Sequence, residues 1–242
     1  MLQIEHFSKT YSGGKRAVDD LSLTVNAGEI FGFIGHNGAG KTTTLRAVAG
    51  ILNYTEGEIY VAGHNVKTDA VNAKKQMVFL PDNPDLYDFM NGIDYLNFIA
   101  DVCEISAQER TQRIAYYADG FDLTGNLGSP IGSYSHGMKQ KLALVSAFMR
   151  KPRLLILDEP FVGLDPLASH TLKEYLRQLC AEGGCVFFST HVLEVAEKLC
   201  HRVAILKDGK LICQGKTADI VGSSTLEDVF LRQAKEKSDE QI

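Results

Sequence analysis

Apolar and polar residues follow two rhythms along this chain. Leu2–Phe7 and Leu21–Val25 alternate, which predicts half-buried strands. Ile30–Ile34 (IFGFI) is an unbroken apolar strand candidate, and Gly57–Gly63 reads as a strand between glycine turns. From about Asn91 to Gly120 the rhythm becomes helical: Ile93, Leu96, Phe98, Ile99 and Val102, then Ile114, Tyr117 and Ala118. The last third returns to alternating elements: strand Leu154–Leu157, helix Leu167–Cys180, strand Cys185–Ser189, helix Val192–Leu199. Val203–Leu206 then meets Lys210–Cys213 across Asp208-Gly209, a hairpin signal. Thr225-Leu226-Glu227-Asp228 has the spacing of a helix N-cap followed by an acid. The end, about Ala234–Ile242, is polar and is expected to fray. The pattern predicts an α/β core that opens and closes the chain. A helical subdomain is inserted between about Asp82 and Arg150.

Composition narrows the classes. The 242 residues are 45% hydrophobic and 23% charged, near the globular average. A net charge of −5 gives no overall basic field, so nucleic acid is not an expected partner. No apolar run approaches the roughly 18–20 residues of a membrane-spanning helix. The first residues do not read as a signal peptide. The five cysteines (Cys103, Cys180, Cys185, Cys200, Cys213) show no zinc spacing and read as reduced thiols in apolar surroundings.

Gly35-His36-Asn37-Gly38-Ala39-Gly40-Lys41-Thr42 fits GxxxxGK[ST] without mismatch, after an apolar strand and before a helical stretch, Lys41–Gly50. Such a loop turns consecutive backbone N–H groups onto phosphate oxygens, at the positive end of a helix. Lys41 would reach the β- and γ-phosphates and the Thr42 hydroxyl would ligate Mg²⁺. Ser12-Gly13-Gly14-Lys15 lacks the spacing and reads as a turn.

The strand Leu154–Leu157 runs into Asp158 and Glu159. In a phosphate-loop fold the first acid holds Mg²⁺ and the second polarises the attacking water. His191 follows another apolar strand, where it could donate to the γ-phosphate; taken alone it reads as a surface histidine. Asp165-Pro166 suits an N-cap with proline at the first helical position.

In this order and spacing the motifs resemble the nucleotide-binding subunit of an ATP-binding-cassette (ABC) transporter, over about residues 1–230. They are Tyr11, the loop Gly35–Thr42, a turn at Leu80–Pro84, Tyr134-Ser135-His136-Gly137-Met138, Asp158-Glu159, Asp165 and His191. The resemblance implies a P-loop NTPase cassette: a RecA-like α/β core, an N-terminal antiparallel β subdomain, and a helical subdomain inserted at about 83–150. A polar tail would occupy 231–242. It implies ATP and Mg²⁺ as ligands. ATP would be held by Tyr11 on the adenine, by Gly35–Thr42 with Thr43, and by Ser135, His136 and Gly137 across a dimer interface. Thr42, Asp158 and Asp82 would serve the metal; Lys41, Glu159 and His191 would serve hydrolysis. Three named positions depart from the family pattern. In the family's LSGGQ motif, His136 stands in place of a glycine and Met138 in place of the glutamine; in the Leu80–Pro84 turn, Asp82 stands in place of the family's glutamine. Asp82 reads equally as a turn aspartate among prolines.

The implied activity is ATP hydrolysis that drives transport, as export, through a separate membrane permease. A second nucleotide-binding subunit, the same or different, would complete the unit, peripheral on the cytoplasmic face of the cell membrane. Leu86, Tyr87, Phe89, Met90 and Ile93 lie where the family docks its membrane subunit, and Tyr87 and Phe89 are expected to be partly exposed. A soluble ABC ATPase acting on DNA or ribosomes is the alternative. Such relatives carry two cassettes or a long coiled-coil insertion, and this chain shows one cassette and no sustained heptads. A small-molecule kinase would leave the 134–138 motif and His191 unexplained.

Overall fold

A computed structural model describes residues 1–236. Two sheets organise it. Strands β1 (Leu2–Thr10) and β2 (Arg16–Val25) pair antiparallel, the predicted strands running longer than their alternating cores. Strand β3 (Ile30–Ile34) leads through the glycine-rich loop into helix α1 (Lys41–Val48), which stops short of the expected Gly50. Strands β4 (Glu56–Val61) and β5 (His64–Asn65) complete a four-stranded antiparallel sheet in the order β2-β1-β4-β5. Helix α2 (Ala70–Lys75) precedes strand β6 (Met77–Leu80).

The segment that follows is helical: α3 (Gly92–Val102), α4 (Ala107–Gly120) and α5 (His136–Phe148). The chain then returns to the sheet through β7 (Leu154–Asp158), α6 (Pro166–Ala181), β8 (Cys185–Thr190), α7 (Leu193–Leu199), β9 (Arg202–Lys207) and β10 (Lys210–Lys216). Helices α8 (Thr217–Val221) and α9 (Leu226–Glu236) close the described residues. The tail expected from 231 and the fraying expected from about 234 therefore begin within α9, and the rest of both lies outside the described residues.

The second sheet runs β10-β9-β3-β8-β7-β6, parallel except for the β9–β10 hairpin. Its central strands β3, β7 and β8 are buried along their whole length because both faces are covered. Phe31, Phe33, Leu154, Ile156, Cys185 and Phe187 face α1 and the antiparallel sheet. Ile30, Ile34, Leu155, Leu157, Val186 and Phe188 face the helices α5, α6 and α7. Gly32 shares that second face, and a Cβ there would sit 2.7 Å from Cys200 Sγ. Because β6 and β7 are adjacent strands, the whole helical segment is a loop thrown out between neighbours and returned to the same sheet edge. Phe98 and Val102 are exposed rather than buried, since the inner face of α3 is carried by Leu96 and Ala100. Tyr87 and Phe89 are exposed as expected, while Leu86 is buried.

Candidate functional site

The loop between β3 and α1 opens at the carboxyl end of the parallel strands, where open α/β sheets bind ligands. Gly40 precedes α1 at φ 107°, and a Cβ on it would lie 2.5 Å from the Ala17 carbonyl, so only glycine closes this turn. The loop is held from behind: Gly209 N–H, at the tip of the β9–β10 hairpin, donates to the Ala39 carbonyl at 3.0 Å.

Lys41 is buried, and its ammonium donates to the carbonyls of Gly35 (2.6 Å) and His36 (3.2 Å). The same Nζ lies 3.5 Å from Glu159 Oε1. The Thr42 hydroxyl donates to Asp158 Oδ2 at 2.7 Å. Asp158 is itself buried at the end of β7, and the Ser189 hydroxyl from β8 donates to its other oxygen. Two adjacent parallel strands thus fix one carboxylate, in register Asp158 to Ser189.

Glu159 leaves the strand in a left-handed backbone, φ 48°. For a residue with a Cβ that conformation costs about 1–3 kcal/mol and persists only where its surroundings impose it. Here its N–H is shared between the Ser189 carbonyl (3.2 Å) and hydroxyl (3.1 Å). The side chain turns back over the loop. Oε2 is 3.0 Å from His191 Nδ1 and accepts from the His191 backbone N–H at 3.3 Å. Oε1 is buried and, among the described residues, has no hydrogen-bond partner, with the Lys41 ammonium as its facing charge.

A cavity of about 450 Å³ sits over these groups, and Lys41, Thr42, Asp158 and Glu159 share its wall with Tyr11, His36 and Asp82. Asn37, Gly38 and Thr43 also reach it, while Gly35 and Ala39 are buried in the loop behind. Tyr11 is 41% exposed at the cavity mouth, with its hydroxyl 3.2 Å from Thr43 Oγ1. Asp82 reaches the rim as an exposed turn residue whose Oδ1 accepts the Asn83 N–H at 2.9 Å. The oxygen set suits Mg²⁺, which keeps several waters and takes one or two carboxylates together with phosphate oxygens. No group of three His, Cys, Asp or Glu side chains that could cage a metal occurs among the described residues.

Ser135, His136 and Gly137 lie elsewhere, at the start of α5, and none of them lines this cavity. Ser135 caps the helix by accepting the Met138 N–H at 3.3 Å. The His136 ring faces Gly163. Asp165 caps α6, accepting the Ala168 N–H at 2.8 Å, and pairs with Lys141 of α5 at 2.8 Å. These two contacts, the cap first, hold the Asp165 carboxyl below the usual range. The sequence reading missed three features of the site: Ser189 as the second support of Asp158, the Gly209 clamp, and the Lys141–Asp165 pair. Ser189 carried the clearest signal, a hydroxyl at the end of an apolar strand.

A phosphate loop, an acidic strand end and a histidine strand end on one parallel sheet define a nucleotide-binding P-loop domain. The model of the family described as ABC transporter matches residues 18–162. Among curated proteins, the ABC transporter ATP-binding protein YhaQ of Bacillus subtilis (strain 168) is 38% identical over 220 residues, covering 91% of this chain and 72% of that protein. YxlF of the same organism is 36% identical over 237 residues, covering 98% and 78%. The linearmycin resistance ATP-binding protein LnrL, also from that strain, is 34% identical over 220 residues, covering 91% and 70%. A solved ATP-binding subunit of an ABC transporter superposes with a TM-score of 0.92 at 31% identity, over 97% of this chain and 99% of that one. A dimeric ATP-binding cassette in a post-hydrolysis state with ADP and Pi shares the fold, with a TM-score of 0.81 at 23% identity over 90% and 99%. The chain belongs to the ABC transporter family, as an ATP-binding subunit.

Proposed function

We propose that this subunit binds Mg-ATP between its own phosphate loop and the Ser135 region of a second nucleotide-binding subunit, and hydrolyses it. The observation that carries the reading is Glu159. Its Oε1 is a buried acceptor without a hydrogen-bond partner among the described residues, 3.5 Å from the Lys41 ammonium, and its Oε2 is braced by His191. A carboxylate so placed is oriented to take a proton from a water beside the γ-phosphate.

The roles divide by position. Lys41 exchanges its carbonyl partners for phosphate oxygens. Tyr11 offers its ring to the adenine. Thr42 and Asp158 would hold Mg²⁺, with Asp82 at the cavity rim. Bound there, Mg²⁺ would neutralise charge on the β- and γ-phosphates. His191 keeps Glu159 aimed and offers a donor to the γ-phosphate. Ser135 and the first N–H groups of α5, those of His136 and Gly137, form a helix N-terminus. They stand away from this chain's own loop, which favours a phosphate brought by the other subunit.

The cycle drives transport, as export, through a separate membrane permease. No helix among the described residues is long and apolar enough to cross a membrane. The similarity to a resistance protein supports the outward direction. The subunit would then sit on the cytoplasmic face of the membrane. The test is sedimentation of Glu159→Gln with and without Mg-ATP. A shift from monomer to dimer supports the sandwich. ATP binding without a shift excludes a homodimer. Hydrolysis at the wild-type rate excludes Glu159 as the base.

A further inference from the structure

The turn that follows Glu159 is fastened to the start of α5 at three points. The His136 ring occupies the space over Gly163: a Cβ on Gly163 would lie 2.8 Å from His136 Cδ2 and 3.1 Å from Nε2. One residue along, a Cβ on Gly137 would lie 2.9 Å from the Gly163 carbonyl oxygen. One helical turn further, Lys141 holds Asp165, the residue that starts α6. Gly163 itself has φ 80°, a conformation an L side chain rarely adopts. Within this short segment Val162 N–H donates back to the Glu159 carbonyl at 3.1 Å, so the turn begins at the carboxylate-bearing residue. Phe161 is anchored on the core, its ring 5.9 Å from that of Phe188. Residues 159–165 and the first turns of α5 therefore form one packed body, and packed interiors shift between arrangements rather than deform gradually.

We propose that His136 is a positioning residue that couples the two nucleotide sites of the dimer. The inference rests on the sandwich reading above. A nucleotide carried by the partner presses on Ser135 and the α5 N-terminus of this chain. The imidazole, wedged on Gly163, passes that displacement to the 159–165 turn, and so to the Glu159 that serves this chain's own phosphate loop. Ring packing carries the effect, not ring titration. Coupling of this kind makes each site's rate depend on occupancy of the other. A glycine at 136, as in the family pattern, would leave this space unfilled.

The experiment measures ATP hydrolysis by the full-length chain against ATP concentration, for wild type, His136→Ala, His136→Phe and Lys141→Met. Glu159→Gln sedimentation with Mg-ATP is run beside it. Wild type should show a Hill coefficient well above 1, toward the limit of about 2 for two sites. His136→Ala should fall toward about 1, with kcat lower by about tenfold and KM within about threefold, the pattern of a misplaced group rather than lost binding. His136→Phe, which keeps a flat ring, should restore both values. Lys141→Met, which frees Asp165 and leaves the ring in place, should lose cooperativity in the same direction; it carries the test if His136→Ala does not fold. Wild-type cooperativity and kcat in His136→Ala would overturn the proposal, as would a His136→Phe variant as impaired as His136→Ala. If Glu159→Gln binds ATP and does not dimerise, the homodimer fails first and this inference, which couples two copies of this chain, falls with it. If it dimerises and only the His136 predictions fail, the sandwich stands alone.

Discussion

Glu159 is the residue on which most of the chemistry turns, and its unusual backbone makes it a clean target. The φ of 48° is imposed by Ser189 through the backbone N–H, not by the carboxylate. Glu159→Gln therefore keeps the backbone geometry and removes the proton acceptor together with the charge that faces Lys41. Hydrolysis should drop by about 10²–10⁴-fold while nucleotide binding persists, measured as turnover beside equilibrium ATP binding. Lys41→Ala acts on the other half of the pair. It removes a charged donor and leaves Glu159 Oε1 without its facing cation. ATP affinity should weaken by about 10–100-fold, the equivalent of about 1.5–3 kcal/mol for one charge-assisted hydrogen bond, read by titration. At this scale the sequence was readable wherever chemistry demands a fixed spacing. GxxxxGKT declares its lysine and hydroxyl because its two fixed glycines, Gly35 and Gly40, stand where a Cβ would lie 2.5 Å from a backbone carbonyl. The partners of those residues were not readable. Ser189 supports Asp158 from a strand 31 residues on, and only the parallel register of β7 and β8 brings the two together.

Among the elements, β3 and α6 show how local signals become structure. Alternating side chains of β3 face different cores, and Gly32 gives Cys200 and Val203 of the helical side their space. Gly32→Ala pushes a methyl to 2.7 Å from Cys200 Sγ and 3.2 Å from Val203 Cγ1. It should destabilise the fold by about 1–3 kcal/mol, seen as an earlier urea midpoint. Helix α6 starts at Asp165 with Pro166 behind it, as its sequence announced. Asp165→Ala should cost about 1 kcal/mol of cap energy, lowering Tm by about 2–4 °C. The pH dependence has a definite sign. The Asp165 carboxyl is held low by the Ala168 N–H and by Lys141, so its contribution is full above the unfolded value of about 3.9. It disappears as pH falls through the lowered native value. The gap in Tm between wild type and variant should therefore be complete at pH 7 and close only in strong acid. Periodicity found the helices α3 and α4 but could not say which apolar residues face out. Phe98 and Val102 obey the helical spacing and still lie on the surface, because a stripe wider than one packing partner leaves its flank uncovered.

For the molecule as a whole, the sequence pattern placed strands before and after a helical insertion. It did not show that the insertion springs from between adjacent strands β6 and β7. Sheet order is a property of pairing across long separations, and no local pattern encodes it. The same whole-molecule burial sets thiol behaviour. Cys180, Cys185 and Cys200 are buried, and burial raises each thiol, the first two to about 12. Thiolates are the reactive form. Burial raises the half-buried Cys213 thiol as well, so native protein should be alkylated first at Cys103 and more slowly at Cys213, with the other three reacting after denaturation, as counted by mass spectrometry.

The fastening behind the phosphate loop has a consequence for synthesis. Strand β3 lies between β8 and β9, and Ala39 is held by Gly209, whose carbonyl in turn accepts the Asp19 N–H at 2.8 Å. Strands β8 and β9 and the hairpin residue Gly209 thus leave the ribosome long after the loop they hold. At about 5–20 residues per second, the motif emerges on the order of ten seconds or more before the hairpin that secures it. During that interval the nascent chain has the nucleotide motif but not the site. ATP therefore cannot template the early fold and can stabilise only a chain that has reached the β9–β10 hairpin. A ribosome stalled before β9 would display a chain with a complete GxxxxGKT sequence and no lasting hold on nucleotide.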